Sequence, residues 1–420
     1  MLPKGLELFM KLRLTPVLIA GLFASSALSA QDHWVATWAT AQLLVRPPAP
    51  ATPPANAAAP APGARGFNNQ TVRMVVRTSI GGRRLRIKVS NAFGGSPVTI
   101  GAAHIALRAK DSEIVPKSDR TLTFDGKPGC ILSPGVLRLS DPVDLDVEPL
   151  TDLAISLYLP GDTGPPTIHA SGLHTAYISK EGDFTGRPAI ADAANSLSYY
   201  WLAAVDVLAP AGAATVVTFG DSITDGTASS PNGNHNWPSL LAARLARNKA
   251  TSMIGVANVG IGGNRVLYDG NGASALARLD RDALTQSGVK WIMLLEGIND
   301  IGRVGTPTPE APAADDLIAA YKQFIDRAHT QGIKVIGCTL TPYEGAGYAR
   351  EAGEAVREAV NNFIRTGGAF DAVVDFEAAT RDPANPKHLR SNITSDNLHP
   401  NDTGYQMMAD SVDLTIFTRK

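Results

Sequence analysis

Thr215-Val-Val-Thr-Phe-Gly-Asp-Ser-Ile-Thr-Asp-Gly226 joins an apolar run to a glycine-flanked polar turn. Thr215 to Phe219 has the length and the β-branched and aromatic side chains of a short buried strand. Gly220 and Gly226 permit a sharp turn and close approach of a ligand to the backbone. Ser222 therefore stands just past a strand end, where its hydroxyl can face the sheet edge. The motif is not a G-x-S-x-G elbow, because Thr224 occupies the place of the last glycine. Gly-Asp-Ser is also common in surface turns, so a nucleophilic role for Ser222 needs partners elsewhere in the chain.

Downstream, the periodicity alternates. Trp237, Leu240, Leu241 and Leu245 form a helical stripe, and Val289 to Leu295 is a second apolar strand. Leu317, Tyr321, Phe324, Ile325 and Ala328 mark a longer helix, followed by a strand from Lys334 to Leu340. Ala352 to Ile364 reads as a helix with Gly367 placed to end it, and Ala372 to Phe376 as a further strand. Asn401 or Asp402 can cap a last helix carrying Tyr405, Met408 and Val412. Strands alternating with helices imply a parallel sheet covered on both faces, with chemistry beyond the C-terminal ends of its strands.

Upstream, residues 33–207 read as β-rich. Thr71 to Thr78, Arg84 to Ser90, Val98 to Leu107 and Leu153 to Leu159 are candidate strands, with turn signals at Gly81-Gly82 and Gly94-Gly95-Ser96-Pro97. With no long amphipathic helix in this part, a β-sandwich, jelly-roll-like, is expected. The expected division is a signal peptide at 1–30, a β-sandwich accessory domain at 31–208 with an exposed Pro/Ala-rich loop at 47–64, and an α/β domain at 209–420 entered through Ala209-Pro-Ala-Gly-Ala-Ala214. The signal reading rests on Lys4, Lys11 and Arg13, the apolar run Leu14 to Phe23, and the small residues Ala24 to Ala30. Met10 is an alternative start. No cysteine follows the apolar run, so the expected location is secreted or periplasmic, without a lipid anchor or a later transmembrane segment.

A chain of 420 residues with 44% hydrophobic and 18% charged side chains can bury a sizeable core and suggests about two domains. Its net charge of -1 advertises neither nucleic acid nor an anionic membrane as partner. Cys130 and Cys338 have no spacing that supports a disulfide, and Cys338 lies in an apolar run. No His/Cys cluster suggests zinc, and no cofactor is implied.

Three further motifs supply what Ser222 lacks. Asn258-Val-Gly-Ile-Gly-Gly-Asn-Arg265 follows an apolar run, Gly297-Ile-Asn-Asp300 follows the strand ending at Leu295, and Asp396-Asn-Leu-His-Pro400 precedes the last helix. A serine hydroxyl is a weak nucleophile near neutral pH and needs a base within hydrogen-bond reach. Histidine suits that task, and a carboxylate can fix its tautomer and offset its charge. The spacing of Asp396 and His399 lets one loop supply both. A glycine amide and an asparagine side chain at neighbouring strand ends could hold the oxyanion, each such donor being worth ~3–4 kcal/mol.

In this order the four motifs resemble the sequence blocks of the SGNH (GDSL-type) hydrolase family, from roughly Thr215 to the C-terminus. The resemblance implies a flavodoxin-like three-layer α/β/α domain. It further implies Ser222 as nucleophile, Asp396 and His399 as its charge system, and Ser222 N–H, Gly263 N–H and the Asn299 amide as oxyanion donors. Gly262 is the alternative to Gly263. Ile223 replaces the leucine of the GDSL name. The implied function is that of an exported serine esterase acting on a small soluble, glycan-linked or lipid ester. An acyltransferase using the same residues, or a carbohydrate-binding protein with a relic hydrolase domain, are the alternatives.

Other polar residues lie near these motifs. Asp221, Asp225 and Asp300 read as turn residues, Asp300 with a possible part in ordering the oxyanion loop. His235 lies in the loop after the nucleophile and could touch substrate or face solvent. Arg265 and Glu296 could pair with each other or grip a substrate. Trp34 and Trp38 read as core residues. His33, His104, His169, His174, His329 and His388 have no partner spacing.

Overall fold

The computed structural model describes residues 32–43, 62–63 and 65–419. The expected signal peptide, and the Pro/Ala-rich loop apart from its last residues, lie outside the described residues.

Five parallel strands form the sheet that carries the site. Their spatial order is Ile254–Asn258, Ala214–Gly220, Val289–Leu295, Lys334–Cys338, Ala372–Val374, so the second strand in sequence lies at the edge and the first beside it. This is the 2-1-3-4-5 order of flavodoxin-like sheets, whose switch point lies between the first and third strands. The register places Thr218 opposite Asn258 and Gly220 opposite Leu295. The segments after these three strands therefore leave the sheet at the same end.

Helices cover both faces because their apolar stripes need burial. Trp237–Arg247 presents Trp237, Leu241 and Leu245, and Ala314–Thr330 presents Leu317, Tyr321, Phe324 and Ile325. Phe324 meets Phe219 edge-on with ring centroids 5.1 Å apart, and Trp237 lies 5.2 Å from Phe376. Full burial of one such side chain contributes ~1.5–3 kcal/mol.

Residues 34–208 form the expected antiparallel part. One sheet contains Trp34–Ala39, Leu202–Leu208, Gly82–Ser90 and Val143–Val147; the other is built on Gln70–Arg77, Asp152–Leu159, Ala102–Lys110 and Ala176–Glu181. Val72, Met74, Val76, Leu85, Ile87, Ile105, Ile155 and Val205 share the core between them. This part also covers the edge strand of the parallel sheet. Ser79 Oγ accepts from Val256 N–H of that strand at 2.8 Å, and Ala36 N–H donates to Ser287 O, just ahead of the third strand, at 2.9 Å. An exposed edge is thereby closed.

Three local expectations change. The run from Val98 to Leu107 is two strands, Val98–Ile100 and Ala102–Lys110, because the chain changes partner at Gly101. The turn at Gly81-Gly82 carries the chain from one sheet to the other rather than joining neighbours. The fifth parallel strand stops at Val374, because the Asp375 side chain accepts from Ala378 N–H and starts a helix at Phe376. Cys130 and Cys338 are both free and buried. Among the described residues no helix is long and apolar enough to cross a membrane.

Candidate active site

Beyond the first parallel strand the chain turns straight into the short helix Ser222–Asp225, with Asp221 as its cap; Asp221 Oδ1 accepts from Ile223 N–H at 2.9 Å. Ser222 thus sits on the first turn. The following strand's loop presses against this helix at Gly260, where a Cβ would come within 2.3 Å of Asp225 N. Only glycine permits that approach.

The loop from Asp396 to His399 brings the predicted base to the serine. His399 Nε2 lies 2.9 Å from Ser222 Oγ, and His399 Nδ1 lies 2.6 Å from Asp396 Oδ2. Asp396 Oδ1 also accepts from Leu398 N–H at 3.0 Å and His399 N–H at 2.8 Å. Partial burial works against the Asp396 charge, but the His399 and Leu398 amides and the imidazole outweigh it and draw its pKa down to about 2. An ionised Asp396 can only accept, so Nδ1 carries the proton and Nε2 is free to accept from Ser222 Oγ–H.

Two ties hold this loop to the nucleophile's side. Asp402 accepts from Ser230 N–H at 2.7 Å, Ser230 Oγ at 2.6 Å and His235 Nδ1 at 2.8 Å. Tyr405 Oη donates to Thr227 O at 2.7 Å. His235 is half-exposed and engaged with Asp402, so its evident part is to join the two loops.

N–H groups without a protein acceptor gather near Ser222 at the strand ends. Among the described residues, Ser222 N–H and Gly263 N–H have no protein acceptor, whereas Gly262 N–H donates to Asp225 Oδ2 at 3.2 Å. Gly263 has φ +74, a conformation that favours glycine. Asn299 Nδ2 donates one hydrogen to Asn264 O at 3.0 Å and retains a second, while its Oδ1 accepts from Tyr348 Oη at 3.4 Å. Asp300 accepts from Val266 N–H at 2.7 Å and Leu267 N–H at 3.2 Å, which orders the glycine loop.

Of the two alternatives for Arg265 and Glu296, pairing with each other does not occur. Arg265 bonds Glu310 Oε2 at 2.5 Å and the Asp269 carbonyl. Glu296 is buried behind the site, 3.5 Å from the guanidinium of Arg278. Neither residue's neighbour in sequence shows the direction in which its side chain leaves the loop, which is why spacing misleads here. Arg278 had no sequence signal as a site residue. It is fully buried and spans the site's underside, donating to Asn264 Oδ1 at 2.8 Å, Val259 O at 2.7 Å and Gly220 O at 3.0 Å. Three carboxyls share this interior. Burial, reinforced by Asp300, raises Asp221 to about 7; burial raises Asp300 to about 6 against its two amide donors; burial and then Asp221 raise Glu296 well above the carboxylate range. Asp221 and Asp300 are thus buried structural residues of these turns, Asp221 capping the short helix and Asp300 ordering the glycine loop.

Sequence reasoning also missed His169. It comes from the antiparallel part and lies 3.0 Å from Asp225 Oδ1, across 56 residues of chain. No local spacing could have indicated it.

Residues 216–412 match the family model of GDSL-like lipases/acylhydrolases. Comparison with the curated proteins gives no match. Among solved structures, the chain is similar to an acetyl xylan esterase, AlAXEase, at 24% identity and TM-score 0.37, over 47% of this chain and 96% of that one. It is similar to a catalytic mutant of an acetylxylan esterase from Geobacillus stearothermophilus at 22% identity and TM-score 0.37, over 47% of this chain and 91% of that one. It is also similar to a GDSL-like lipase from Bacteroides thetaiotaomicron at 19% identity and TM-score 0.35, over 49% and 88%.

Proposed function

We propose, on the premise that residues 216–412 form a GDSL-like lipase/acylhydrolase domain, that this protein is a serine esterase cleaving carboxylic esters through an acyl-enzyme on Ser222. The observation that carries the reading is the hydrogen-bonded line from Ser222 Oγ through His399 to Asp396, at 2.9 and 2.6 Å.

In this reading Ser222 Oγ attacks the ester carbonyl as its proton passes to His399 Nε2. The imidazolium so formed is offset by Asp396, whose carboxylate is held ionised with its pKa drawn down to about 2. Ser222 N–H, Gly263 N–H and the second Asn299 hydrogen receive the oxyanion. Gly263 is favoured over Gly262 because Gly262 N–H is already spent on Asp225. His399 gives its proton to the departing alkoxide, the C–O bond breaks, and the acyl group stays on Ser222. Water then enters, loses a proton to His399 and releases the acid. We also propose that the protein is exported, for which the basic, apolar and small-residue order of residues 4–30 is the support.

The test is hydrolysis of p-nitrophenyl acetate, butyrate and octanoate by the mature protein and by Ser222→Ala. Activity lost by ~10⁴-fold or more in the variant supports the nucleophile, and the chain-length profile defines the acyl pocket. Equal inertness of both proteins would overturn the esterase reading.

A further inference from the structure

We infer that His169, supplied by the antiparallel part of the molecule, is a positioning residue for the hydrolase site: as a doubly protonated imidazolium it holds Asp225, and Asp225 holds the nucleophile's helix and the oxyanion loop together. This rests on the esterase reading above for its effect on rate, but not for the state of His169 itself.

The protonation state follows from hydrogen-bond bookkeeping. His169 is buried, and its Nδ1 lies 2.8 Å from the carbonyl oxygen of Ala41. A carbonyl can only accept, so Nδ1 carries a hydrogen. Its Nε2 lies 3.0 Å from Asp225 Oδ1, and that contact needs a hydrogen as well. The pair therefore carries one proton more than a neutral imidazole and an ionised carboxylate would; the imidazole, the stronger base by its ordinary pKa (~6.5 against ~3.9), takes it, so the pair is bonded as imidazolium and carboxylate. The surroundings agree. Burial alone would strip the charge from His169, but Asp225 outweighs burial and raises its pKa above the usual value. The Arg278 charge opposes this, Asp221 lies one helical turn back from Asp225, and the buried Tyr199 ring lies 6.4 Å from the imidazole. His174 stands on the wall of the same cavity, where burial lowers its pKa and keeps it neutral.

Asp225 transmits the contact. It is the last residue of the nucleophile's helix, and its other oxygen accepts from Gly262 N–H, next to the proposed oxyanion glycine. One carboxylate thus joins the antiparallel part, the helix that starts at Ser222 and the loop that ends at Gly263. The pair also lines a cavity of about 70 Å³ with His174, Asn234 and Asn258. Such a polar space is roomy enough for water. Losing the imidazole therefore hydrates Asp225 rather than stranding it, and the expected fault is misplacement rather than collapse.

Three measurements test the inference. His169→Phe, checked for native circular dichroism, is expected to lose about 10- to 100-fold in kcat with KM changed far less, the scale set by small misplacements of reacting groups. A folded His169→Phe with wild-type kcat would overturn the inference. Asp225→Asn reverses the bonding: its amide can donate to a neutral Nε2 and its carbonyl can still accept from Gly262 N–H, so no extra proton is needed. Wild-type kcat should fall at alkaline pH as that proton leaves, and Asp225→Asn should lack that fall; the same fall in both would overturn the inference. Nitrogen-15 histidine NMR on the full chain, in wild type and in Ser222→Ala, reads the imidazolium without any turnover. One buried histidine, absent in His169→Gln, should hold both ring protons at a pH where exposed histidines are neutral. A neutral His169 would contradict the inference even if the esterase reading stands, and a charged His169 in a protein without esterase activity would show that only the esterase reading had failed.

Discussion

The side-chain amide of Asn299 donates to the backbone carbonyl of Asn264 at 3.0 Å. Asn264 is itself fixed: its amide donates to the carbonyls of Asn271 and Ala273, and its own side-chain oxygen accepts from Arg278. The free hydrogen of Asn299 is thereby aimed before any substrate arrives, which is the condition under which an oxyanion donor is most effective. Asn299→Leu removes that donor and leaves Asn264 O unpaired. Its kcat on p-nitrophenyl acetate is expected to fall by ~10²–10³ with little change in KM. A wild-type kcat would remove Asn299 from the site.

Asp396 fixes the tautomer of His399. Asp396→Asn offers either an acceptor or a donor to Nδ1 and no longer offsets the imidazolium. Buried triads lose ~10⁴ in kcat on this change. The Asp396 side chain is 49% exposed, so water can take up part of its role, and a smaller loss of about 10²–10³ is expected here. Steady-state rates across the pH range check this, and a loss below tenfold would make Asp396 dispensable.

The buried acids set a pH dependence of stability with a definite sign. Asp221 is raised to about 7, against ~3.9 for an unfolded aspartate. The folded state therefore binds the proton more tightly; its advantage is complete below the unfolded value and is lost as pH climbs to about 7. Glu296 acts in the same direction. Asp221→Asn keeps an acceptor for Ile223 N–H and removes the titration. The Tm of the variant relative to wild type should rise between about pH 4 and about pH 7 and level off above it. A constant difference across that range would show that Asp221 stays ionised in the folded protein.

Asp402 joins the loop of His399 to the loop after Ser222 through Ser230 and His235. Asp402→Ala should loosen the placement of His399 against Ser222 and lower kcat by about tenfold, within the range of small misplacements. The preference among acetyl, butyryl and octanoyl esters should not change, because the Asp402 side chain is engaged with Ser230 and His235. A changed preference with unchanged kcat would place Asp402 in the substrate pocket instead.

Four of the five strands of the parallel sheet were legible in the sequence because each is a bounded apolar run beside a helix with a periodic stripe; the edge strand Ile254–Asn258, short and interrupted by Gly255, was read only as an apolar run before Asn258. Ser222, Asp396 and His399 were legible because their local spacings are short and their chemistry is interdependent. What stayed hidden depends on directions and distances that no spacing encodes. Arg265 and Glu296 are near neighbours of site residues, yet their side chains leave in different directions, to Glu310 and Arg278. Val98 to Leu107 reads as continuous, yet its two segments pair with different strands. His169 meets Asp225 only because the antiparallel part folds against the nucleophile's helix. Arg278 reads as an ordinary helical arginine, and its burial follows from three acceptors in distant segments, Asn264, Val259 and Gly220, together with Asp282 one turn along and the nearby Glu296 carboxylate.

The most direct test of the central claim is mass spectrometry of the protein rapidly quenched during turnover of p-nitrophenyl acetate. An acetyl adduct confined to the peptide containing Ser222, absent in Ser222→Ala and accumulating when His399 is replaced only as slowly as the reaction then proceeds, is the predicted result. An adduct on another residue, or full turnover with Ser222 replaced, would contradict the account.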